Sequence, residues 1–494
     1  MKNDWILKKT CVLGGLASSF FGMAQDRPNV IVIMTDEHNF RTLGCYREQL
    51  SRDQAFPWGE NVNVETPHID KLAHQGALCL NYYAAHPVSG PSRSCFMTGM
   101  YPQATGVYQN DVPMKKEMVT FASTLLRQGY ATGYFGKWHL DGAAKPGWAP
   151  KRQFGFSDNR YMYNRGHWKI LSDSTGEPKV IGFNQKGQPA ENVIDNATQE
   201  SFSTDFFTNR ALRFIESNQN RSFCCFLSIA DPHGPNLVRE PYSKMYTEMK
   251  IKHPLSAKTN VENMPQWAKK SKKTIIDAGI QNGISQYFGM VKCIDDNVGK
   301  ILSRLQELDL NKKTIIIFTA DHGDLLGEHN KDNKSVPYEG SAKVPFIWFY
   351  PNKIPEGNLV REAMNNTDFT PTLLGLMEIN SQVDYQGMDY SKAIMGERKY
   401  PNSITVFKGA EWIAATDGRY KLIYSTGPQE VPVLFDLAKD PDETTNIYQR
   451  KNNKKNIEKL SLFLKNYCIT CKEPLWENKK IRNEISCFLK QTEI

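Results

Sequence analysis

The sequence predicts an α/β fold: a large domain with a mostly parallel central sheet flanked by helices, then a smaller α+β subdomain with an antiparallel sheet. Three observations carry this. Four nearly continuous apolar runs, NVIVIM (29–34), ATGYFG (131–136), FCCFLSIA (223–230) and TIIIFT (314–319), have the character of strands buried on both faces. Helix-patterned segments lie between them. Past about residue 375 the pattern shifts to short strands close together in sequence, separated by turn residues.

In chain order, residues 1–24 read as an export signal. Lys2, Lys8 and Lys9 precede the apolar stretch CVLGGLASSFFGMA, and Gly22 and Ala24 offer small residues for cleavage before Gln25. A periplasmic or secreted bacterial protein is therefore expected. The large domain is expected over 25–385. Within it, TPHIDKLAHQG has Pro67 for a first helical turn and Gly76 for a stop, and FASTLLRQGY and IDDNVGKILSRLQELDL also read as helices. The section 142–222, rich in Gly, Asn, Arg and aromatic residues, reads as an insertion of loops of the kind that build substrate clefts. The subdomain is expected over 386–494. SITVF, EWIAATDG, YKLIYSTG and VLFDL supply its strands, and NNKKNIEKLSLFLKNY its helix.

At 494 residues the chain can bury a large core. A hydrophobic fraction of 40% and a charged fraction of 23% are those of a soluble globular protein, and no apolar run after the N-terminus is long enough to span a bilayer. The formal charge of +8 is concentrated at the ends, with eleven Lys/Arg against five Glu in 450–494. A nearly neutral body argues against a nucleic-acid partner. Cys468 and Cys471 form a lone CxxC without nearby histidines, which reads as a local disulfide or two inert thiols.

In open α/β sheets, ligands bind at the carboxyl ends of the strands. The four apolar runs lead into Asp36-Glu37-His38, Lys137-Trp138-His139, Asp231-Pro232-His233 and Asp321-His322-Gly323-Asp324. If the strands share one parallel sheet, these ends meet on one edge. Such a gathering is costly without a metal or an anionic ligand to organise it. The carboxylates at 36, 37 and 321 suit a hard divalent cation, while His322 adds a nitrogen more at home with zinc or manganese. Helix capping is the plainer reading of Asp36 and Asp321. His38, His68, His74 and His253 read as structural or solvent-facing.

The segment HPVSGPSRSCFMTGMYPQATGV (86–107) closely resembles the sulfatase signature, with Ser89, Pro91, Ser92 and Arg93 followed by Thr98-Gly99. RPNVIVIMTDE, GYFGKWHLDG, DPHGP, TADHGDLLGEH and KSVPYEG with KVPFI resemble further motifs of that family in the same order. YKLIYSTG and LFDLAKDPDETTN resemble its C-terminal subdomain. The resemblance implies an alkaline-phosphatase-like fold and a formylglycine-dependent sulfuric ester hydrolase of the serine type. Ser89 would be oxidised to formylglycine by a maturation enzyme. Asp36, Glu37, Ser89, Asp321 and His322 would hold Ca2+, with Mg2+ or Mn2+ as alternatives. Arg93 and Lys137 would stabilise the hydrated aldehyde. His139 would act as base, His233 would protonate the leaving oxygen, and Lys334 would hold the sulfate charge. Two departures stand out: the family often has Asp or an amide residue at the place of Glu37, and frequently an amide at the place of His322. Both residues present here can coordinate a metal.

Export and the long insertion favour a sulfated carbohydrate from glycosaminoglycan, mucin or algal glycan as substrate. Arg160, Arg165, His167 and Trp168 of the insertion are candidates to contact the sugar, and loop packing is the plainer reading of the same residues. Glu328, His329 and His86 are further candidates. Two other functions stay open: a metal-dependent phosphohydrolase of the same superfamily using unmodified Ser89, and a non-catalytic protein that binds sulfated glycans.

Overall fold

The computed structural model describes residues 27–258, 264–269 and 280–487, so the expected signal segment lies outside the described residues. The strands are β1 (Asn29–Asp36), β2 (Ala77–Tyr83), β3 (Ala131–Lys137), β4 (Met162–Tyr163), the hairpin β5 and β6 (Leu171–Ser172, Lys179–Val180), β7 (Phe223–Pro232), β8 (Thr314–Ala320), β9 (Phe346–Phe349), β10 (Asn358–Asn365), and β11 to β14 (Thr405–Lys408, Trp412–Thr416, Tyr420–Ser425, Val433–Asp436). Eight of them form one sheet in the order β10-β2-β9-β8-β1-β7-β3-β4. The four apolar runs are its contiguous centre, β8-β1-β7-β3, paired in parallel and buried at every residue. Only β9 runs antiparallel to its neighbours.

The two-residue repeat of β1 divides its side chains between two cores. Ile31 and Ile33 join the face covered by helices Pro67–His74, Ser203–Ser217 and Ile280–Glu307. Val30, Val32 and Met34 join the face covered by helices Ser89–Thr98, Phe121–Arg127 and Phe369–Leu376. Helices on both faces are what a doubly buried parallel sheet requires. Among the described residues, no helix is long and apolar enough to cross a membrane.

Two expectations need correction. The section 142–222 is not loop throughout, because Ser203–Ser217 is a 15-residue helix that buries Phe206, Phe207, Ala211 and Ile215 at helical spacing. The helix read from IDDNVG onward extends well before Ile294, its described part running over Ile280–Glu307.

The C-terminal sheet is antiparallel in the order β11-β12-β13-β14 and is backed by helix Lys454–Thr470. Cys95 and Tyr101 of the larger unit share its core with Val406, Leu422 and Leu464. Cys468 and Cys471 are both free thiols.

Candidate active site

The strand order brings Asp321, Asp36, His233 and Lys137 side by side at one edge of the sheet. Gly136 allows the closest approach. Its φ is 115°, and a Cβ there would lie 1.8 Å from the Ser228 carbonyl oxygen on β7. At the β1–β7 pair the register shifts between Thr35 and Asp36, an irregularity of the kind that re-aims strand ends.

Ser89 is the first residue of helix Ser89–Thr98, so the positive end of that helix faces the same edge. Ser89 Oγ is buried, 2.9 Å from His322 Nε2 and 3.4 Å from Asp36 Oδ1. His322 Nε2 in turn lies 3.7 Å from Asp36 Oδ1 and 3.6 Å from Asp321 Oδ1. His322 Nδ1 is 3.0 Å from the Gly323 carbonyl, which can only accept, so Nδ1 carries the proton and Nε2 presents its lone pair to the cluster. Burial lowers the affinity of this imidazole for a second proton. Two carboxylate oxygens, a hydroxyl and an imidazole nitrogen thus converge within one coordination sphere, a donor set that fits a divalent cation.

The outer oxygens are tied to cations. Arg93 is fully buried. Its Nε donates to Asp321 Oδ2 at 2.8 Å, one terminal nitrogen to Asp36 Oδ2 at 3.1 Å, and the other to the Lys137 carbonyl at 2.9 Å and Ser228 Oγ at 2.8 Å. Lys137 Nζ lies 2.6 Å from Asp36 Oδ2. Burial opposes ionisation of Asp36, but Lys137 and Arg93 outweigh it and hold its carboxyl well below the usual range. Burial pulls the Lys137 ammonium down, with Asp36 offsetting part of the effect.

Beyond the cluster, His167 and His233 stack with ring centroids 3.7 Å apart. Lys137 Nζ is 2.7 Å from His167 Nε2, and Lys334 Nζ is 2.8 Å from His233 Nε2. The group Asp36, His167 and His233 is also compact enough for a metal, but the Lys137 ammonium already lies within 2.7 Å of two of its members. His139, at φ 65°, has Nε2 3.3 Å from Asp111 Oδ1 and a buried Nδ1 without a hydrogen bond. Burial, with Lys137 and Arg93, pushes its pKa well below that of ordinary imidazole.

The remaining expected site residues spread around this cluster. The Glu37 carboxylate lies outside the compact Asp36–Asp321–His322 group, 2.9 Å from His233 Nε2 and 3.0 Å from Lys334 Nζ. Burial opposes that charge, and His233 with Lys334 outweighs it, so the Glu37 carboxyl is held well below the usual range. Trp168 packs in the core and donates its indole N–H to the Arg165 carbonyl at 3.0 Å. Arg160 is exposed, 3.7 Å from Glu177 and over the Tyr161 ring. Glu328 is buried against Arg41 and Asn39, and His329 stacks on Tyr338. Arg165 reaches the site rim, 3.0 Å from Asp111 Oδ2. His38 is held between Thr35 and Thr42, and burial pulls its pKa down to about 3, as befits a structural histidine.

Sequence reasoning missed Asp111, which meets both His139 and Arg165, and Glu191, which accepts from the His167 backbone N–H at 2.9 Å and lies 3.3 Å from its Nδ1. Both come from loops without a recognisable pattern. It also missed Asn366, whose amide donates to Ser92 Oγ at 2.6 Å and steadies helix Ser89–Thr98.

Comparison with known proteins agrees with this geometry. The family model described as Sulfatase matches residues 28–379, and that of the N-sulphoglucosamine sulphohydrolase C-terminal region matches 327–468. An ulvan-active sulfatase of Formosa agariphila is 28% identical over 380 residues, covering 74% of this chain and 65% of that protein, so the chain spans a little under two thirds of that relative. An N-acetylglucosamine-6-O-sulfatase of Bacteroides thetaiotaomicron is 25% identical over 523 aligned positions, covering 89% and 86%. A structure solved in complex with its substrate D-glucosamine-2-N,6-O-disulfate shares the fold, with TM-score 0.71, 22% identity and 92% and 99% coverage. The Sulfatase model spans the whole sheet edge that gathers Asp36, Ser89, Lys137, His233 and Asp321, and the chain belongs to the sulfatase family of sulfuric ester hydrolases.

Proposed function

We propose that the chain releases inorganic sulfate from a sulfated carbohydrate, using formylglycine at position 89 and a divalent cation, calcium in preference to Mg2+ or Mn2+. The observation that carries this is the placement of Ser89 Oγ, at a helix N-terminus and within 2.9 Å of His322 Nε2 and 3.4 Å of Asp36 Oδ1. Asp36, Asp321, His322 and residue 89 hold the cation. Three of these four donors are oxygens, the ligand type calcium prefers, and the imidazole nitrogen of His322 is the donor that keeps Mn2+ an alternative. Asp36 and Asp321 are both tied to Arg93, which keeps their inner oxygens aimed inward.

The cation, when bound, supplies positive charge that acidifies the attacking hydroxyl and offsets charge on the sulfuryl oxygens. Formylglycine supplies, as its hydrate, one hydroxyl for attack on sulfur and a second whose deprotonation expels sulfate, an exit that a plain serine ester lacks. Around these, Lys137 and Lys334 place ammonium groups where the sulfuryl oxygens gain charge. His139, neutral because of burial and its cationic neighbours, takes the proton that releases sulfate. His233 Nδ1 donates to the Gly234 carbonyl at 2.8 Å, so Nε2 carries a proton for the leaving oxygen only in the doubly protonated ring, a form that the Glu37 carboxylate 2.9 Å from Nε2 favours.

A carbohydrate substrate is supported by the sulfated glycans named for the relatives. Export to the periplasm or beyond, after cleavage near Ala24, belongs to the same proposal, as does a maturation enzyme acting on Ser89. The test is expression in a host with a serine-type maturation enzyme, followed by peptide mass analysis around position 89 and a desulfation screen of defined sulfated sugars. Loss of two hydrogens at Ser89 together with sulfate release is expected. Full sulfate release by Ser89→Ala would overturn the proposal. Unmodified Ser89 with turnover of phosphate esters instead would replace it by the phosphohydrolase reading.

A further inference from the structure

Beside the anion pocket lies a cavity of about 970 Å³, walled by the helical turn Pro102–Thr105 and the residues after it on one side and by the β11–β12 and β13–β14 connections on the other. His86 and Val88 reach it from the segment that leads into Ser89, and Ser335 from the residue after Lys334. The cavity therefore begins where the residues around the nucleophile and the late lysine end.

Three aromatic side chains line it. Trp412 is fixed by its indole N–H to the Ser335 carbonyl at 3.1 Å. Trp267 is fixed by its indole N–H to Ser425 Oγ at 3.0 Å and packs edge-on against Tyr338. Tyr108, by contrast, is 64% exposed. Trp412 is 3% exposed and belongs to the core, so it backs the wall, while the half-buried Trp267 and the exposed Tyr108 offer aromatic faces on a concave surface. Such faces point to a ligand with an apolar face of its own, as the C–H faces of a sugar ring are. His86 adds a polar requirement. Its ring is buried and driven by burial to a pKa of about 3, hence neutral, and its Nδ1 has no hydrogen-bond partner. A sugar hydroxyl can meet such an atom as donor or acceptor.

Charge narrows the ligand further. Lys408, the cation lining the cavity among the described residues, is ion-paired to Glu473. Glu411 and Glu430 also line it, so the wall carries more negative than free positive charge. A uronate or a second sulfate there would face carboxylates without a free cation.

We infer that this cavity binds an uncharged sugar residue next to the sulfated one, so that the substrate is an oligosaccharide rather than a monosaccharide ester. This rests on the sulfated-carbohydrate reading above and deepens it. Tyr108 is a binding residue in this account, separate from the reacting atoms.

The test is calorimetric titration of the full chain carrying Ser89→Ala, which cannot turn ligand over, with calcium present. The probes are N-acetylglucosamine 6-sulfate, its galactosyl disaccharide 6-sulfo-N-acetyllactosamine, the 4- and 6-sulfates of N-acetylgalactosamine, and the matching uronate-containing chondroitin disaccharides. The neutral disaccharide is expected to bind about tenfold more tightly than its monosaccharide. Adding Tyr108→Ala should remove most of that gain and leave monosaccharide affinity unchanged, while Tyr108→Phe should keep it. The uronate disaccharides should bind no more tightly than their monosaccharides. The inference is overturned if no disaccharide outbinds its monosaccharide, if the gain is confined to uronate probes, or if Tyr108→Ala weakens both sugars alike. Sulfate release by the mature, unsubstituted chain is measured in parallel. Release without a disaccharide gain sinks the subsite alone, and a gain without release sinks the hydrolase reading while keeping the subsite.

Discussion

Nε of Arg93 donates to Oδ2 of Asp321 at 2.8 Å, while the same guanidinium reaches Asp36 on the neighbouring strand. One planar side chain thus fastens two buried carboxylates on β1 and just past β8, setting the spacing of their inner oxygens. Removing it leaves two buried negative charges short of a partner. Arg93→Ala is expected to cost about 3–5 kcal/mol of stability, the scale of a broken buried pair. Arg93→Lys should recover only part of it, because one ammonium cannot match the fork. Chemical denaturation in the presence of chelator measures this directly. An Arg93→Ala chain as stable as the parent would show that the guanidinium is not the frame described.

The inner oxygens make a second expectation. A cation that binds the folded chain alone raises its stability by about 2.7 kcal/mol when its concentration reaches a hundred times Kd. Chelation should lower Tm, calcium should restore it, and His322→Ala should weaken the response by removing the nitrogen at 2.9 Å from Ser89 Oγ. Calorimetry with calcium, magnesium and manganese ranks the metals without any activity assay. A Tm indifferent to chelator and to all three ions would count against a metal at this cluster.

Asp368 carries a pH prediction. Its carboxyl is buried, accepts backbone N–H groups of Asn365 and Met388 at 2.8 Å each, and is pushed by that burial from 3.8 up to about 7. In the unfolded chain it ionises near 3.8, so between there and about 7 the folded state holds one more proton. Stability must then fall as pH rises through this window and level off above it, by an amount on the order of 4 kcal/mol. Asp368→Asn has no such proton to lose. The stability difference between parent and variant should shift against the parent from pH 4 to pH 7, measured by urea denaturation. A difference that stays flat with pH would refute the raised pKa.

Much of this was legible in the sequence because a parallel sheet turns linear spacing into proximity. Asp36, Lys137, His233 and Asp321 each follow an apolar run, and adjacency of β8, β1, β7 and β3 does the rest. Residues held by loops were not legible in the same way. Asp111 and Glu191 sit in unpatterned segments and acquire partners only through tertiary packing, while Asn366 opens a short turn just after β10 and meets Ser92 only through packing. The insertion motif spreads out in space. Its four candidates are neighbours in sequence but diverge in space, His167 to the lysines, Arg165 to Asp111, Trp168 into the core and Arg160 to solvent. Helix Ser203–Ser217 was hidden because its apolar stripe is flanked by long polar stretches that dilute the periodicity.

That divergence leads to the last expectation, which concerns Glu191. Its carboxylate engages the His167 backbone N–H and lies beside Nδ1, so the ring nitrogen facing Lys137 is Nε2. The His167 contact, foremost, and Lys145 hold the Glu191 carboxyl well below the usual range, against a smaller opposing effect of burial, so it is ionised at every working pH. Lys145 in turn lies 5.2 Å from the Trp168 ring, which ties this small network to the core. Glu191 touches no reacting atom and acts by aiming a ring that stacks on His233. Glu191→Gln should therefore lower kcat about tenfold, the low end for a partner one step removed, acting through the His167 ring on the His233 it stacks against, with KM little changed. Glu191→Asp should recover part of the loss, since a shorter carboxylate still accepts from Nδ1–H. Trp168→Ala, by contrast, should lower Tm through lost packing. If Glu191→Gln instead shifts Tm as Trp168→Ala does and leaves kcat intact, the carboxylate is a structural strut and His167 is aimed by its stacking alone.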